Sequence, residues 1–167
     1  MYIGRQGIKM ATLHLMVGLP GSGKTTEAIR LEQEYHALRL TPDEWHLHLF
    51  GHDFREGSDN AEHDRRHTLV EELMWDTAQK VLRLGVNVIL DFGCWARVER
   101  DAFRQKAHAL GADFQIHYMA CPVETLWERI QERNKLADEK PVFRISREQL
   151  EAWSRQFEPP TVDELSR

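Results

Sequence analysis

Short apolar runs alternate with longer amphipathic stretches along this chain, the pattern expected of strands and crossover helices in a parallel α/β sheet. The apolar runs predict strands at Leu13–Val17, Ala37–Leu40, Val86–Leu90 and Phe114–Met119. The amphipathic stretches predict helices at Lys24–Tyr35, Asp59–Leu84, Arg97–Leu110 and Val123–Asn134. Gly85 and Gly111 each stand where a helix must end before a strand begins, a place that favours glycine. Ser146, with Gln149 three residues on, opens a further helix. No internal repeat or low-complexity stretch interrupts the alternation.

Parallel strands present their ligands beyond their carboxyl ends. Directly after the first strand comes Gly18-Leu19-Pro20-Gly21-Ser22-Gly23-Lys24-Thr25-Thr26, which satisfies G-x-x-x-x-G-K-[ST] between a strand and a helix. Glycines at 18, 21 and 23 allow successive backbone N–H groups to turn inward as an anion nest, with no Cβ in the way. The helix beginning here adds the positive end of its dipole. Ser22, Lys24, Thr25 and Thr26 complete the nucleotide-binding set. Lys24 is suited to the β- and γ-phosphates and the Thr25 hydroxyl to Mg²⁺.

The second predicted strand runs into Thr41-Pro42-Asp43-Glu44. Thr41 with Glu44 reads as a capping box and Pro42 as the first helical residue. Asp43 then falls in a first turn, where the helix dipole favours its ionised form. Such a carboxylate, facing a γ-phosphate, is what orients and deprotonates an acceptor hydroxyl. The third strand leads into Asp91, an acid placed either to hold Mg²⁺ through water or to meet the acceptor. Asp91-Phe92-Gly93 spells a triplet known from protein kinases, yet the chain has no H-R-D loop and no V-A-I-K strand. Arg129 and Arg133 share one helix face. With Lys135, Lys140 and Arg144 around Pro141 they suggest a basic lid at about residues 134–146, bringing cations to a transferring phosphoryl group. His46, His48, His52, His63 and His67 are numerous, but His63 to His67 lacks the glutamate of H-E-x-x-H, so no zinc site is expected there. Trp45 and Trp95, close after the two acids, suit either core packing or stacking on a planar acceptor.

Length and composition narrow the setting. At 167 residues, 41% hydrophobic and 29% charged, the chain suits one domain with a continuous core. Residues 1–11 are expected as an N-terminal extension and residues 12–167 as a single domain. A net charge of −5 disfavours an extended nucleic-acid footprint. Two cysteines without a C-x-x-C pair suit a reducing cytoplasm. No apolar run reaches the roughly 18 residues that would cross a bilayer.

The order of these pieces resembles the small P-loop kinases of the AAA_33 group, related to polynucleotide 5′-hydroxyl kinase domains, chloramphenicol phosphotransferase and zeta-toxin-like proteins. The resemblance covers residues 12 to about 165. It rests on Gly18–Thr26, Leu40-Thr41-Pro42-Asp43, Val88-Ile89-Leu90-Asp91 with Arg100 downstream, Trp127 to Arg133, and Phe157-Glu158-Pro159-Pro160. It implies a three-layer, nucleoside-kinase-like α/β fold with a mostly parallel sheet of four or five strands. It further implies ATP and Mg²⁺ as cofactors, Asp43 as general base, and Arg129 or Arg133 as the lid arginine. The implied partner is a hydroxyl-bearing acceptor, either a small molecule or a polynucleotide 5′ end. The chain departs from polynucleotide kinases at His46, where an arginine three residues after the base usually meets the substrate phosphate. A nucleotide-dependent binding module with no acceptor of its own is the competing expectation.

Overall fold

The computed structural model describes residues 10–54, 59–135 and 143–166. Four strands, β1 (Thr12–Val17), β2 (Leu38–Leu40), β3 (Val88–Gly93) and β4 (Asp113–Tyr118), form one sheet in the order β2-β3-β1-β4. Every pairing is parallel. The helices are α1 (Lys24–Tyr35), α2 (Pro42–Phe50), α3 (Ala61–Arg83), α4 (Arg97–Ala109), α5 (Val123–Lys135), α6 (Arg147–Gln156) and α7 (Val162–Leu165).

Alternation along β1 builds the three layers. Leu13, Leu15 and Val17 face a core shared with Val70, Met74, Ala78 and Leu82 of α3 and Ala107 of α4. Met16 points the other way and packs with Ala28 and Leu31 of α1. Because β1 is buried on both faces, apolar residues fall on both, with Leu13, Leu15 and Val17 on one and Met16 on the other, and His14 is its buried polar exception. A smaller cluster of Leu19, Leu126, Ile130, Ile145 and Leu150 seats α5 and α6 against the loop that follows β1.

The expected α/β architecture is present, with four strands, all parallel. Two local expectations are corrected. Strand β3 does not stop at Leu90 but continues to Gly93, because Leu15↔Leu90 pairing resumes at Val17↔Gly93 after an irregularity. Asp91 therefore sits within the strand. Thr41 does not cap α2 with its side chain, although Pro42 does open that helix. The Arg39 guanidinium donates to the Thr41 hydroxyl and, at 2.9 Å, to Glu44, so both members of the anticipated capping box are engaged elsewhere.

Residues 1–9, Arg55, and the middle of the expected lid with Lys140 and Pro141 lie outside the described residues. The lid's two ends are described. Asn134 Nδ2 donates to the Ile145 carbonyl at 2.8 Å and the Ile145 N–H donates back to Asn134 Oδ1 at 3.3 Å, so the segment leaves and returns at one point. Among the described residues no helix is long and apolar enough to cross a membrane.

Candidate active site

The residues from Gly18 to Gly23 turn between β1 and α1 at the carboxyl edge of the sheet. The Gly18 N–H donates to the Gly93 carbonyl at 3.3 Å, which ties the turn to the end of β3. Gly21, at φ 81°, accommodates α5: a Cβ there would meet Ile130 Cγ1 and the Leu126 carbonyl oxygen, both at 3.1 Å. The helix carrying the two arginines is thus seated directly on the turn. Lys24 opens α1, and its ammonium donates to the Leu19 carbonyl at 3.0 Å across the turn. Burial holds the Lys24 pKa below its ordinary value, with the carboxylates of Asp91 and Asp43 opposing. Thr26 follows on the exposed side of α1.

Thr25 and Asp91 come together as a pair. The Thr25 hydroxyl donates to Asp91 Oδ2 at 2.7 Å, which leaves its oxygen lone pairs outward. The hydroxyl of Thr41 lies 3.4 Å from the same oxygen. Asp91 is 7% exposed, and burial pushes its pKa up to about 6 against the pull of Thr25 and Lys24.

Asp43 stands in the first turn of α2, its side chain two-thirds exposed at 66%. His67 Nε2 of α3 lies 3.4 Å from Asp43 Oδ1. Enclosure by protein would raise the Asp43 pKa, but the His67 hydrogen bond and the charges of His67, Lys24 and Arg133 outweigh it and hold the carboxyl below its ordinary value. The phosphate-loop lysine, the helix α5 arginine and the expected base therefore share one electrostatic field.

The two arginines divide their work. Arg129 Nη1 donates to the Gly21 carbonyl at 3.3 Å, bracing α5 on the turn. Arg133, one helical turn on, is held by burial below its ordinary pKa, with Asp43 opposing. Its Nε is buried without a hydrogen-bond partner among the described residues.

His46 is 0% exposed. Its Nε2 and the Nδ1 of His63 both lie 2.7 Å from Asp53 Oδ1, while Arg66 Nη1 donates to Asp53 Oδ2 at 3.0 Å. These three partners outweigh burial and hold Asp53 well below the usual carboxylate range. An ionised carboxylate only accepts, so both imidazole nitrogens carry the protons and the cluster knits α2 to α3. The position that a phosphate-clamping arginine would occupy is thereby spent on packing. Arg100, part of the sequence resemblance, is likewise internal. It is 0% exposed, paired with Glu164 at 2.8 Å, and donates to the Trp95 carbonyl at 3.0 Å.

The site suits a magnesium-bound nucleotide on its own chemistry. Ser22 Oγ and Asp91 Oδ1 are buried without partners among the described residues. With Thr25 they form a hard-oxygen set beside an anion nest at a helix N-terminus, the combination that Mg²⁺ and a phosphate chain require. His67, Thr41 and Arg39 were not legible in the sequence as neighbours of these groups. Their spacing carries no motif, and only the fold brings them to the acids.

Comparison with known proteins bears on the family and the fold. A family model, AAA_33, an AAA domain, matches residues 13–160. No curated protein matches the chain. The fold is similar to that of a candidate kinase from Chloroflexus aurantiacus j-10-fl, at 18% identity and a TM-score of 0.72, covering 91% of this chain and 82% of that one. It is also similar to a chain of the Pnkp1/Rnl/Hen1 RNA repair complex, at 22% identity and a TM-score of 0.68, covering 91% of this chain but only 45% of that one. Kti12 of Chaetomium thermophilum, solved with ADP-AlF3, matches at 20% identity and a TM-score of 0.64, covering 89% of this chain and 81% of that one.

Proposed function

The chain belongs to the AAA_33 family of P-loop domains, and from that premise we propose that it transfers the γ-phosphoryl group of ATP, with Mg²⁺, to a hydroxyl of a small molecule or of a nucleic-acid end. The observation that carries this reading is the convergence on Asp43. A carboxylate held ionised lies within the field of both Lys24 and Arg133. A nucleotide switch has no use for a base so placed, whereas a kinase has.

Mg-ATP, when bound, supplies the phosphoryl group and the cation that offsets charge on its oxygens. The turn's N–H groups and Lys24 bind the phosphate chain and fix its orientation. Thr25 and Asp91 would hold the metal through oxygen, directly or through water. Asp43 takes the proton from the acceptor hydroxyl, and His67 keeps it ionised for that task. Arg133, aided by Arg129 as the brace of α5, neutralises charge as the bond to the leaving oxygen lengthens.

The test combines calorimetry of Mg-ATP binding with detection of phosphorylated product across an acceptor panel, for the wild type and Asp43→Asn. Nucleotide affinity is expected to stay within about threefold while transfer falls by about 100-fold or more, the usual worth of a general base. Unchanged turnover in the variant would remove Asp43 from the role. Mg-ATP binding with slow hydrolysis, a nucleotide-gated protein partner and no phosphorylated acceptor would point to the switch instead.

A further inference from the structure

Beyond the carboxyl end of β3, between α3 and α4, the fold leaves a cavity of about 320 Å³. Its walls carry three carboxylates, Glu71, Glu72 and Glu99, and the indoles of Trp75 and Trp95, with Lys106 the one cation of the lining. His67 joins this cavity to the proposed base: its Nε2 lies 3.4 Å from Asp43 and its Nδ1 3.6 Å from Glu71. The other side reaches the phosphate site. A Cβ on Gly93 would fall 3.3 Å from Trp95 Nε1 and 3.8 Å from Lys24 Cε, so the indole edge borders the lysine's stem.

The charge in this cavity is unbalanced. Lys106 lies 4.9 Å over the Phe103 ring and 5.2 Å over Trp75, which shows aromatic faces of this wall already holding one cation. Two of the three carboxylates remain in excess of it. Among the described residues Glu71 has no hydrogen-bond partner, and His67 Nδ1, at 3.6 Å, is beyond hydrogen-bond reach. Burial raises its pKa, and Glu99 and Asp43 add to the rise while His67 opposes it, as expected where negative groups crowd one space.

Resting on the kinase reading, we propose that this cavity is the acceptor pocket and that the acceptor is a small alcohol bearing a protonated amine. Its hydroxyl lies at Asp43, its ammonium among Glu71, Glu72 and Glu99, and its apolar body against Trp95 and Trp75. The volume sits at the lower end of small-molecule sites. A 5′-hydroxyl polynucleotide end carries its first phosphodiester on the 3′ oxygen of the same sugar, and further ones beyond it. Three carboxylates repel them, and His46, which stands where polynucleotide kinases usually carry an arginine, is buried on Asp53. On transfer the alcohol oxygen bonds to the γ-phosphorus, the bond from that phosphorus to the ADP oxygen breaks, and the hydroxyl proton passes to Asp43.

The test uses the full chain at neutral pH with Mg²⁺ and a non-hydrolysable ATP analogue. Phenylethanolamine, its uncharged isostere styrene glycol and a 5′-hydroxyl oligothymidylate are titrated by tryptophan fluorescence, and the same three are then offered with ATP for product detection. The amine is expected to bind at least tenfold more tightly than the glycol. That preference should shrink to about twofold in Glu71→Gln and in Glu72→Gln; the second variant leaves untouched the bond that Glu99 accepts from the Ala96 N–H at 2.9 Å. Equal or tighter binding of the glycol or the oligonucleotide overturns the amine assignment. If either is then phosphorylated, the kinase reading stands alone. Tight, glutamate-dependent amine binding without any phosphorylated product keeps the cation pocket and overturns the kinase reading and the acceptor role together.

Discussion

Asp43 Oδ1 lies 3.4 Å from His67 Nε2, although the two residues are 24 positions apart and sit on different helices. The contact matters because it decides the protonation state of the group proposed to act as base. His67 itself is influenced first by burial, which lowers its pKa, but Asp43, Glu71 and Asp64 together raise it above the ordinary histidine value.

Replacing His67 by alanine removes the largest influences that hold the Asp43 pKa down. The acidic limb of the kcat/KM profile should therefore move to higher pH, while the affinity for Mg-ATP stays the same. A pH–rate series on the wild type and His67→Ala checks this. A limb that does not move would mean that His67 has no hold on the base. The charge on His67 also stabilises the fold at low pH and ceases to do so as pH rises through its raised pKa, so the two proteins should differ in stability most under acidic conditions.

Asp91 makes a pH signature of the same sign in a lower window. Its pKa is raised to about 6, so the folded protein holds a proton that the unfolded chain releases near its ordinary value of 3.8. Stability contributed by the protonated form is present at low pH and is lost as pH rises through that window. Relative to Asp91→Asn, the nucleotide-free wild type should lose on the order of 2 kcal/mol between pH 4.5 and 7, and urea denaturation at the two values measures it. The same variant should lose the thermal stabilisation that Mg-ATP gives the wild type. An identical pH slope in both proteins would contradict the burial of an ionisable Asp91.

Much of this site was legible because its first part is contiguous. Gly18 to Thr26 is read by backbone N–H groups and one helix end, so neighbouring residues alone define it. Asp43 could be placed by its position after a short strand, and Arg133 by its helix face. Thr41 shows where such reading stops. Its spacing to Glu44 is that of a capping box, but Arg39, whose side chain projects from β2, claims both residues, and Asp91 of the neighbouring strand draws the hydroxyl inward. The strand limit at Leu90 was misplaced for a related reason, since the Val17↔Gly93 pairing is set by β1 rather than by local residues. His67, Glu71 and Glu72 match no functional motif, and only the packing of α3 beside α2 and β3 brings them to the acids, while Glu99 arrives from α4.

Glu164 lies beyond the residues that the family model matches and closes a buried ion pair. Arg100 Nε and Nη2 donate to its two oxygens at 2.8 and 3.3 Å, while Nη1 donates to the carbonyls of Cys94 and Trp95. The pair therefore fixes the segment after β3 that borders the cavity. Glu164→Gln leaves the guanidinium buried and uncompensated and should cost about 3–5 kcal/mol, whereas Arg100→Met with Glu164→Leu should cost far less. Denaturant midpoints of the three proteins give the comparison. The Glu164 pKa is held down to about 2 by Arg100, so the pair's stabilisation should persist at neutral pH and disappear as pH falls through that value. A Glu164→Gln protein as stable as the wild type would show that the pair contributes nothing.

The decisive measurement is a crystal structure of the chain with Mg²⁺ and a non-hydrolysable ATP analogue. The account predicts the analogue's phosphates along Gly18–Thr25, the metal beside Thr25 and Asp91, and the Asp43 carboxylate facing the γ-phosphorus across a gap wide enough for one hydroxyl group. A carboxylate directed away from that phosphorus, or crystals and solutions in which the analogue does not bind, would contradict it.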